Sequence, residues 1–375
     1  MIAGILKEPV GENRVSLLPE QAEVLIKKNI QVLIEESAGA NAFASNESYT
    51  VKGVKVVSRE EVLQQSNILY SINALTESDL GKVKNEVALV GIFQPLFNFA
   101  QINTWNSKSV TTFSMDMIPR TTRAQSMDVL SSQANIAGYR AVLLASTLFP
   151  RYFPMFMTAA GSIAPAKMLI LGAGVAGLQA VATSRRLGAV VEVFDTRPAV
   201  KEEVMSLGAK FVEVEGAADA SKAGGYAVEQ SEEYKQKQQA RIAEAVQKAD
   251  IIITTAQIPG KKAPVLITEP MLQSMKNGSI IIDLAAATGG NTPLTKNNEH
   301  FVTPNGVTIV GNSNLPSGMP FDASKMYGKN VLNFMQLILT KEGELNLNFE
   351  DDIVKGCCIT HQSKIVNDRV AALIN

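Results

Sequence analysis

Lys167-Met168-Leu169-Ile170-Leu171-Gly172-Ala173-Gly174-Val175-Ala176-Gly177-Leu178-Gln179-Ala180 joins an apolar run to Gly-x-Gly-x-x-Gly and continues as a helical pattern. This order predicts the strand, turn and helix of a dinucleotide site. Gly172 permits a turn too tight for a Cβ, Gly174 lets the backbone approach a pyrophosphate, and Gly177 lets the helix pack on the strand. The helix that starts near Val175 and Ala176 would present unpaired N–H groups and a positive dipole end to that pyrophosphate. A second β-like run, Val190-Val191-Glu192-Val193-Phe194, ends in Asp195, eighteen residues after Gly177. An acidic residue there meets the adenine ribose hydroxyls, and a carboxylate repels a 2′-phosphate, so NAD(H) is expected rather than NADP(H). Arg197 is the complication: an arginine at that point can hold a 2′-phosphate, or serve as a surface ion pair.

Outward from this stretch, strands are expected at 168–172, 190–194, 210–214, 251–254, 279–283 and 307–310, with helices at 175–187, 199–207, 234–248 and 269–275 between them. Residues 216–233 read as an insertion containing Gly224-Gly225-Tyr226. Before the glycine turn, strand-like runs at 2–6, 31–35, 54–57, 68–71, 87–93 and 109–113 alternate with helical or loop segments. A long helical pattern from about Ser126 to Tyr152 links the two sets. The apolar helix expected at 324–340 would cross back onto the first. The fold class is therefore α/β: two Rossmann-like doubly wound parallel-sheet domains separated by a cleft, the first discontinuous. The domains are expected at 1–130 plus 315–375, completed by the C-terminal helix, and at 131–314, the nucleotide domain.

Composition sets the outer bounds. A chain of 375 residues has ample length for two cores, and a net charge of −1 offers no footprint for nucleic acid or an anionic surface. The two cysteines, Cys357 and Cys358, are adjacent, which argues against a structural disulfide and for a reducing cytoplasm. Residues 141–161 are apolar, but Arg151 between Pro150 and Pro154 breaks them as a membrane span, so no direct membrane insertion is expected. With only His300 and His361, and no ligand spacing around them, no metal is expected.

Polar side chains concentrate in Arg120-Thr121-Thr122-Arg123-Ala124-Gln125-Ser126-Met127-Asp128-Val129-Leu130-Ser131-Ser132-Gln133-Ala134-Asn135. By itself this is a loop, a helix N-cap and a solvated face. It lies, however, at the expected junction of two α/β domains, where ligands prefer to sit.

Arg123-Ala124-Gln125-Ser126-Met127-Asp128, Ser131-Ser132-Gln133 and Ala137-Gly138-Tyr139-Arg140 resemble the signature of the NAD(H)-binding component of proton-translocating nicotinamide nucleotide transhydrogenase. The likeness extends over nearly the whole chain, through Glu12-Asn13-Arg14-Val15, Met157-Thr158-Ala159-Ala160-Gly161, Ala223-Gly224-Gly225-Tyr226-Ala227, Ile258-Pro259-Gly260-Lys261 and Ile282-Asp283-Leu284-Ala285. The resemblance implies a homodimer without direct membrane insertion. It would be cytoplasmic, peripherally held at the inner membrane by membrane-spanning subunits, and would work with a separate domain that binds NADP(H). It further implies that Arg120, Gln125, Asp128 and Ser131 meet the nicotinamide end of NAD(H), with Asp128 fixing Arg120. Asp195 and Arg197 would meet the adenosine end, and Gly225-Tyr226 would belong to a loop that closes over the nucleotide.

The same superfamily contains alanine dehydrogenase, a soluble NAD-dependent oxidoreductase, and a non-catalytic NAD-binding module is a further alternative. Reducing an imine of pyruvate needs a lysine, an acid/base histidine and a carboxylate. Arg14, which would hold a substrate carboxylate, is present, but Tyr70-Ser71-Ile72-Asn73-Ala74-Leu75-Thr76 has no lysine, Ile92-Phe93-Gln94-Pro95-Leu96 has no histidine, and Ala287 stands at the carboxylate position. Direct hydride transfer from NADH to NADP⁺ needs apposition of two rings and exclusion of water, not proton transfer. Gly318, in Leu315-Pro316-Ser317-Gly318, is a departure, since relatives often carry arginine there.

Overall fold

The computed structural model describes residues 1–214 and 231–374. Strands follow in chain order as β1 (Ile2–Ile5), β2 (Gln31–Glu35), β3 (Lys55–Val57), β4 (Ile68–Tyr70), β5 (Ala88–Gly91), β6 (Thr111–Ser114), β7 (Phe156–Thr158), β8 (Gly161–Ile163) and β9 (Lys167–Leu171). They continue as β10 (Val190–Phe194), β11 (Lys210–Phe211), β12 (Ile251–Thr254), β13 (Ile280–Asp283), β14 (His300–Val302), β15 (Thr308–Val310), β16 (Cys358–His361) and β17 (Lys364–Ile365). Two compact units result, one from Met1–Gln133 with Pro316–Asn375, the other from Ala134–Leu315.

The sheet of the first unit has the order β17-β16-β6-β5-β4-β1-β2-β3. From β3 to β6 every pairing is parallel, and the chain reverses direction across the sheet between β1 and β4. That is the doubly wound order, with its switch point at the C-terminal ends of β1 and β4. The strands are short apolar runs because helices cover them, and Ile5, Leu33, Ile34, Leu69, Tyr70, Leu89 and Phe113 all lie in one buried cluster. The helix Pro320–Ile338 buries Tyr327, Val331, Phe334, Met335 and Ile338 in the same cluster, as its 3.6-residue apolar spacing requires. The sequence expectation ended with that helix. The chain goes further: β16 and β17 extend the sheet antiparallel beyond β6, with Thr112 and Thr360 hydroxyls 2.9 Å apart across the join. These strands of four and two residues, carrying polar threonine, histidine and lysine, have no alternation strong enough to announce themselves.

The second sheet runs β11-β10-β9-β12-β13-β15-β14. It too is doubly wound, with the switch point between β9 and β12. Its strands are apolar throughout because both faces are covered. Met168, Ile170, Ile251, Ile253, Ile280 and Ile282 belong to one core, while Leu169, Leu171, Ile252, Ile281 and Ile309 belong to another. Six strands were expected and seven are present. The addition is β14, antiparallel to β15 and exposed along its length, so the apolar signal of a buried strand was lacking. The strand expected at 210–214 shortens to two residues. The linking helix is Val129–Leu148, and the apolar stretch after it folds as the exposed hairpin β7-β8.

Candidate functional site

Gly172 ends β9 with φ +108°, a conformation that disfavours any side chain, and its amide donates to Phe194 O at 2.8 Å. A Cβ on Gly177 would strike the carbonyl oxygen of Gly172, so only glycine lets the helix Val175–Arg186 rise this close to the strand. Gly138 serves the neighbouring crossing in the same way: its face lies against the Ala176 carbonyl. Gly174 differs. It is the N-cap of that helix, with φ −78° and ψ −170°, and nothing lies within 4 Å of where its Cβ would be. No side-chain oxygen caps the helix, so the first-turn amides are left for a ligand, with the dipole favouring an anion. Val175 is exposed and Ala176 half-buried at this mouth. Beside it, Thr255 at the end of β12 donates its hydroxyl to Gly172 O at 3.2 Å and its amide to Leu171 O at 2.9 Å, fixing the turn across the switch point.

Asp195 closes β10 next to this turn and is buried. Its Oδ2 accepts from the Ala173 amide at 2.7 Å and from Arg197 Nη2 at 2.7 Å; its Oδ1 accepts from the Arg197 amide and Nε, both at 2.8 Å. Arg197 is thus a partly buried partner of Asp195 rather than a surface ion pair. Those hydrogen bonds to Asp195, together with its charge, hold the guanidinium protonated against the opposing effect of burial. Deeper in the same unit, Asp283 accepts from the Ala285 and Asn291 amides and the Thr295 hydroxyl, and Asn291 in turn holds Ala256 and Pro264, shaping the loop that follows β12.

The polar segment 120–133 lies in the first unit. Residues Thr122–Met127 form a 3-10 turn whose Ala124 and Met127 are buried, while Arg120 and Gln125 are exposed. Asp128 caps the helix Val129–Leu148: its Oδ1 accepts the Ser131 amide at 2.9 Å and its Oδ2 the Ser131 hydroxyl at 2.6 Å. Arg120, Gln125, Asp128 and Ser131 therefore share one short, anchored segment. Gly172, Gly174, Val175, Ala176, Gly177, Asp195 and Arg197 share the glycine turn of the second unit. Gly225 and Tyr226 lie outside the described residues. Among the described residues no group of three or more His, Cys, Asp and Glu is placed to hold a metal ion.

At the first unit's switch point stands a cluster that composition did not single out. Arg14 donates Nε to Glu12 Oε1 at 2.8 Å, Nη2 to Glu12 Oε2 at 2.6 Å and Nη1 to Gln133 Oε1 at 2.7 Å. Burial works to raise the Glu12 carboxyl, but the bonds and charge of Arg14 outweigh it and leave it below the usual carboxylate range. Glu8 accepts from the Ile72 amide at 2.5 Å and from Asn73 at 2.9 and 3.0 Å, yet burial prevails and pushes its pKa up to about 7. Asn73 and Gln94, at the places where a lysine and a histidine were sought, are a partner of Glu8 and an exposed residue with φ +48°. Ser317 receives the Asn13 amide at 2.8 Å, which is the contact made by the Pro-Ser-Gly departure.

A doubly wound unit with a glycine turn, an open helix N-terminus and a buried acid one strand away is a dinucleotide-binding protein. Comparison with known proteins makes this narrower. The model described as "Alanine dehydrogenase/PNT, N-terminal domain" matches residues 4–137, and "Alanine dehydrogenase/PNT, C-terminal domain" matches residues 141–368; the chain belongs to this family. It is 44% identical over 368 residues to the first of the chains that make up NAD(P) transhydrogenase subunit alpha in Rickettsia prowazekii, covering 96% of this chain and 95% of the relative. The crystal structure of transhydrogenase from Sinorhizobium meliloti superposes with TM-score 0.89 at 40% identity, covering 98% of this chain and all (100%) of that one. An L-alanine dehydrogenase structure matches with TM-score 0.83 at 20% identity, covering 100% and 99%, a likeness of fold.

Proposed function

We propose that this chain is the NAD(H)-binding component of a proton-translocating nicotinamide nucleotide transhydrogenase. The observation that carries the reading is the open approach to Gly174, in front of uncapped helix amides and beside Asp195. Those amides would hold the pyrophosphate, with Gly172 and Gly177 setting the turn and Val175 and Ala176 lining its mouth. Asp195 would take the adenine ribose, with Arg197 next to it and Gly225-Tyr226 closing over the nucleotide.

At the nicotinamide end, Arg120 and Gln125 would orient the ring, and Asp128 with Ser131 would hold the segment that presents them. The bound nucleotide supplies one step: the C4–H bond of NADH breaks and the hydride, with both electrons, bonds to C4 of NADP⁺ held by a partner domain. No proton is released or taken up in that exchange, so the chain needs no acid/base pair. Arg14, engaged by Glu12 and Gln133, fits a structural role better than that of a keto-acid anchor. The full reading includes a homodimer, membrane-spanning partner subunits that couple the exchange to proton translocation, and a place on the cytoplasmic face of the inner membrane. Among the described residues no helix is long and apolar enough to cross a membrane.

The test mixes the purified chain with an NADP(H)-binding transhydrogenase domain and follows hydride exchange between NADH and an NADP⁺ pool. Exchange that needs both proteins is the expected result. NADH oxidation by pyruvate and ammonia with the chain alone would identify an alanine dehydrogenase instead, and NADH binding without turnover in any mixture would identify a binding module.

A further inference from the structure

The segment that carries Gln125 is gripped by residues far away in sequence. Ser126 O accepts Asn330 Nδ2 at 2.8 Å and Asn333 Nδ2 at 2.9 Å. Both asparagines sit on the helix Pro320–Ile338, one turn apart and so on one face. Asn330 also bonds in the other direction, its Oδ1 accepting the Ser132 hydroxyl at 2.7 Å. One buried carboxamide thus spans the turn from Ser126 to Ser132, with the Asp128–Ser131 cap enclosed between its two bonds. At the other end Arg123 makes a two-pronged bond to Asp351, at 2.6 and 2.8 Å, and a further bond to Asp352. Ala124 and Met127 are buried on either side. Gln125 is exposed on a backbone held at positions 123 and 126.

We propose that Asn330 is a positioning residue for hydride transfer: by joining Ser126 to Ser132 it fixes the backbone from which Gln125 and Asp128 act. The proposal rests on the reading of the site given above. A buried amide whose donor and acceptor are both used by one turn does more than fill space, because a hydrophobic residue of similar size would leave Ser132 without its acceptor and Ser126 O with half its bonds. Reacting centres tolerate little displacement, and about 1 Å of misplacement costs on the order of 100-fold in rate. Asn330 is itself buried, so its effect passes through the turn.

The experiment compares Asn330→Ala, Asn330→Asp and Asn333→Ala in the full chain. The readouts are NADH affinity, hydride-exchange rate with an NADP(H)-binding transhydrogenase domain, and amide hydrogen exchange over 121–128. Asn330→Asp keeps the volume and the acceptor for Ser132 and loses only the donor to Ser126, so it stays informative if the alanine variant does not fold. Expected are NADH affinity within ~2-fold of wild type, exchange slowed ~10- to 100-fold, and faster amide exchange confined to 121–128 in both Asn330 variants. Asn333→Ala, which leaves the Ser126–Ser132 link intact, is expected to show a smaller loss. Wild-type rates in both Asn330 variants would overturn the proposal, as would a loss of NADH affinity matching the loss of rate. Absence of exchange in the wild-type pair would instead overturn the functional reading, and the proposal would fall with it.

Discussion

Asp195 accepts four hydrogen bonds, which is the capacity of a carboxylate, and three of them come from Arg197. A ribose diol donating to Asp195 must therefore displace the Arg197 side chain. Replacing Arg197 with alanine frees two acceptor positions and is expected to leave NADH affinity unchanged or tighter. Asp195→Ala removes the acceptor and is expected to weaken it by about 10- to 100-fold, the worth of bonds to a charged group. Titration calorimetry on both variants checks this, and equal losses would refute it. Glu8 yields a second expectation. Its pKa lies near 7 in the fold, because burial outweighs its three N–H donors, against 4.5 as the ordinary value. Between those values the unfolded chain has released a proton that the folded chain retains, so stability is full below pH 4.5 and declines as pH rises toward about 7. The decline is at most about 1.4 kcal/mol per pH unit for one group. Urea unfolding of wild type and Glu8→Gln from pH 5 to 8 should show their difference changing in that window; a constant difference would rule it out.

The glycine turn separates two kinds of glycine within one element. Gly177→Ala drives a methyl into the Gly172 carbonyl and is expected to lower the melting temperature and abolish NADH binding together. Gly174→Ala meets no atom within 4 Å at an extended φ, so its melting temperature should stay within a degree or two, roughly, while NADH affinity drops ~10-fold or more from the methyl facing the pyrophosphate. Differential scanning fluorimetry with and without NADH separates the two; unchanged affinity in Gly174→Ala would remove that turn from the nucleotide site. The same element explains what could be read from sequence. Leu169 to Leu171, Ile251 to Ile253 and Ile280 to Ile282 are legible as strands because both their faces are buried, which writes uninterrupted apolar runs. The strands β14, β16 and β17 escape because they lie at sheet edges with polar or exposed residues. Of the candidate site, the glycines and Asp195 carry a spacing that has a physical cause. Asn330 and Glu8 carry none, since their meaning comes from partners more than 60 residues away: 204 for Ser126 and 64 for Ile72. The one local hint was a pair of asparagines at i and i+3 on an otherwise apolar helix face.

At the scale of the molecule, the hairpin β7-β8 places Met157 at 74% exposure and Phe156 and Ile163 beside it, with Tyr152 stacked on Phe156 at 5.1 Å. An isolated two-stranded apolar hairpin is poorly stable in water, and such a patch marks an interface. If the proposed homodimer uses it, Met157→Asp shifts the chain from dimer to monomer in analytical ultracentrifugation at micromolar concentration; an unaltered sedimentation coefficient would assign the dimer contact elsewhere. The split of the first unit has a consequence for synthesis. Residues 134–315 are contiguous and can assemble as soon as they leave the ribosome, whereas β6 waits, with its outer edge unpaired, until β16 emerges more than two hundred residues later. The half of the protein that is translated first is thus the half that is finished last, and nascent chains stalled before residue 358 should be the ones that engage chaperones.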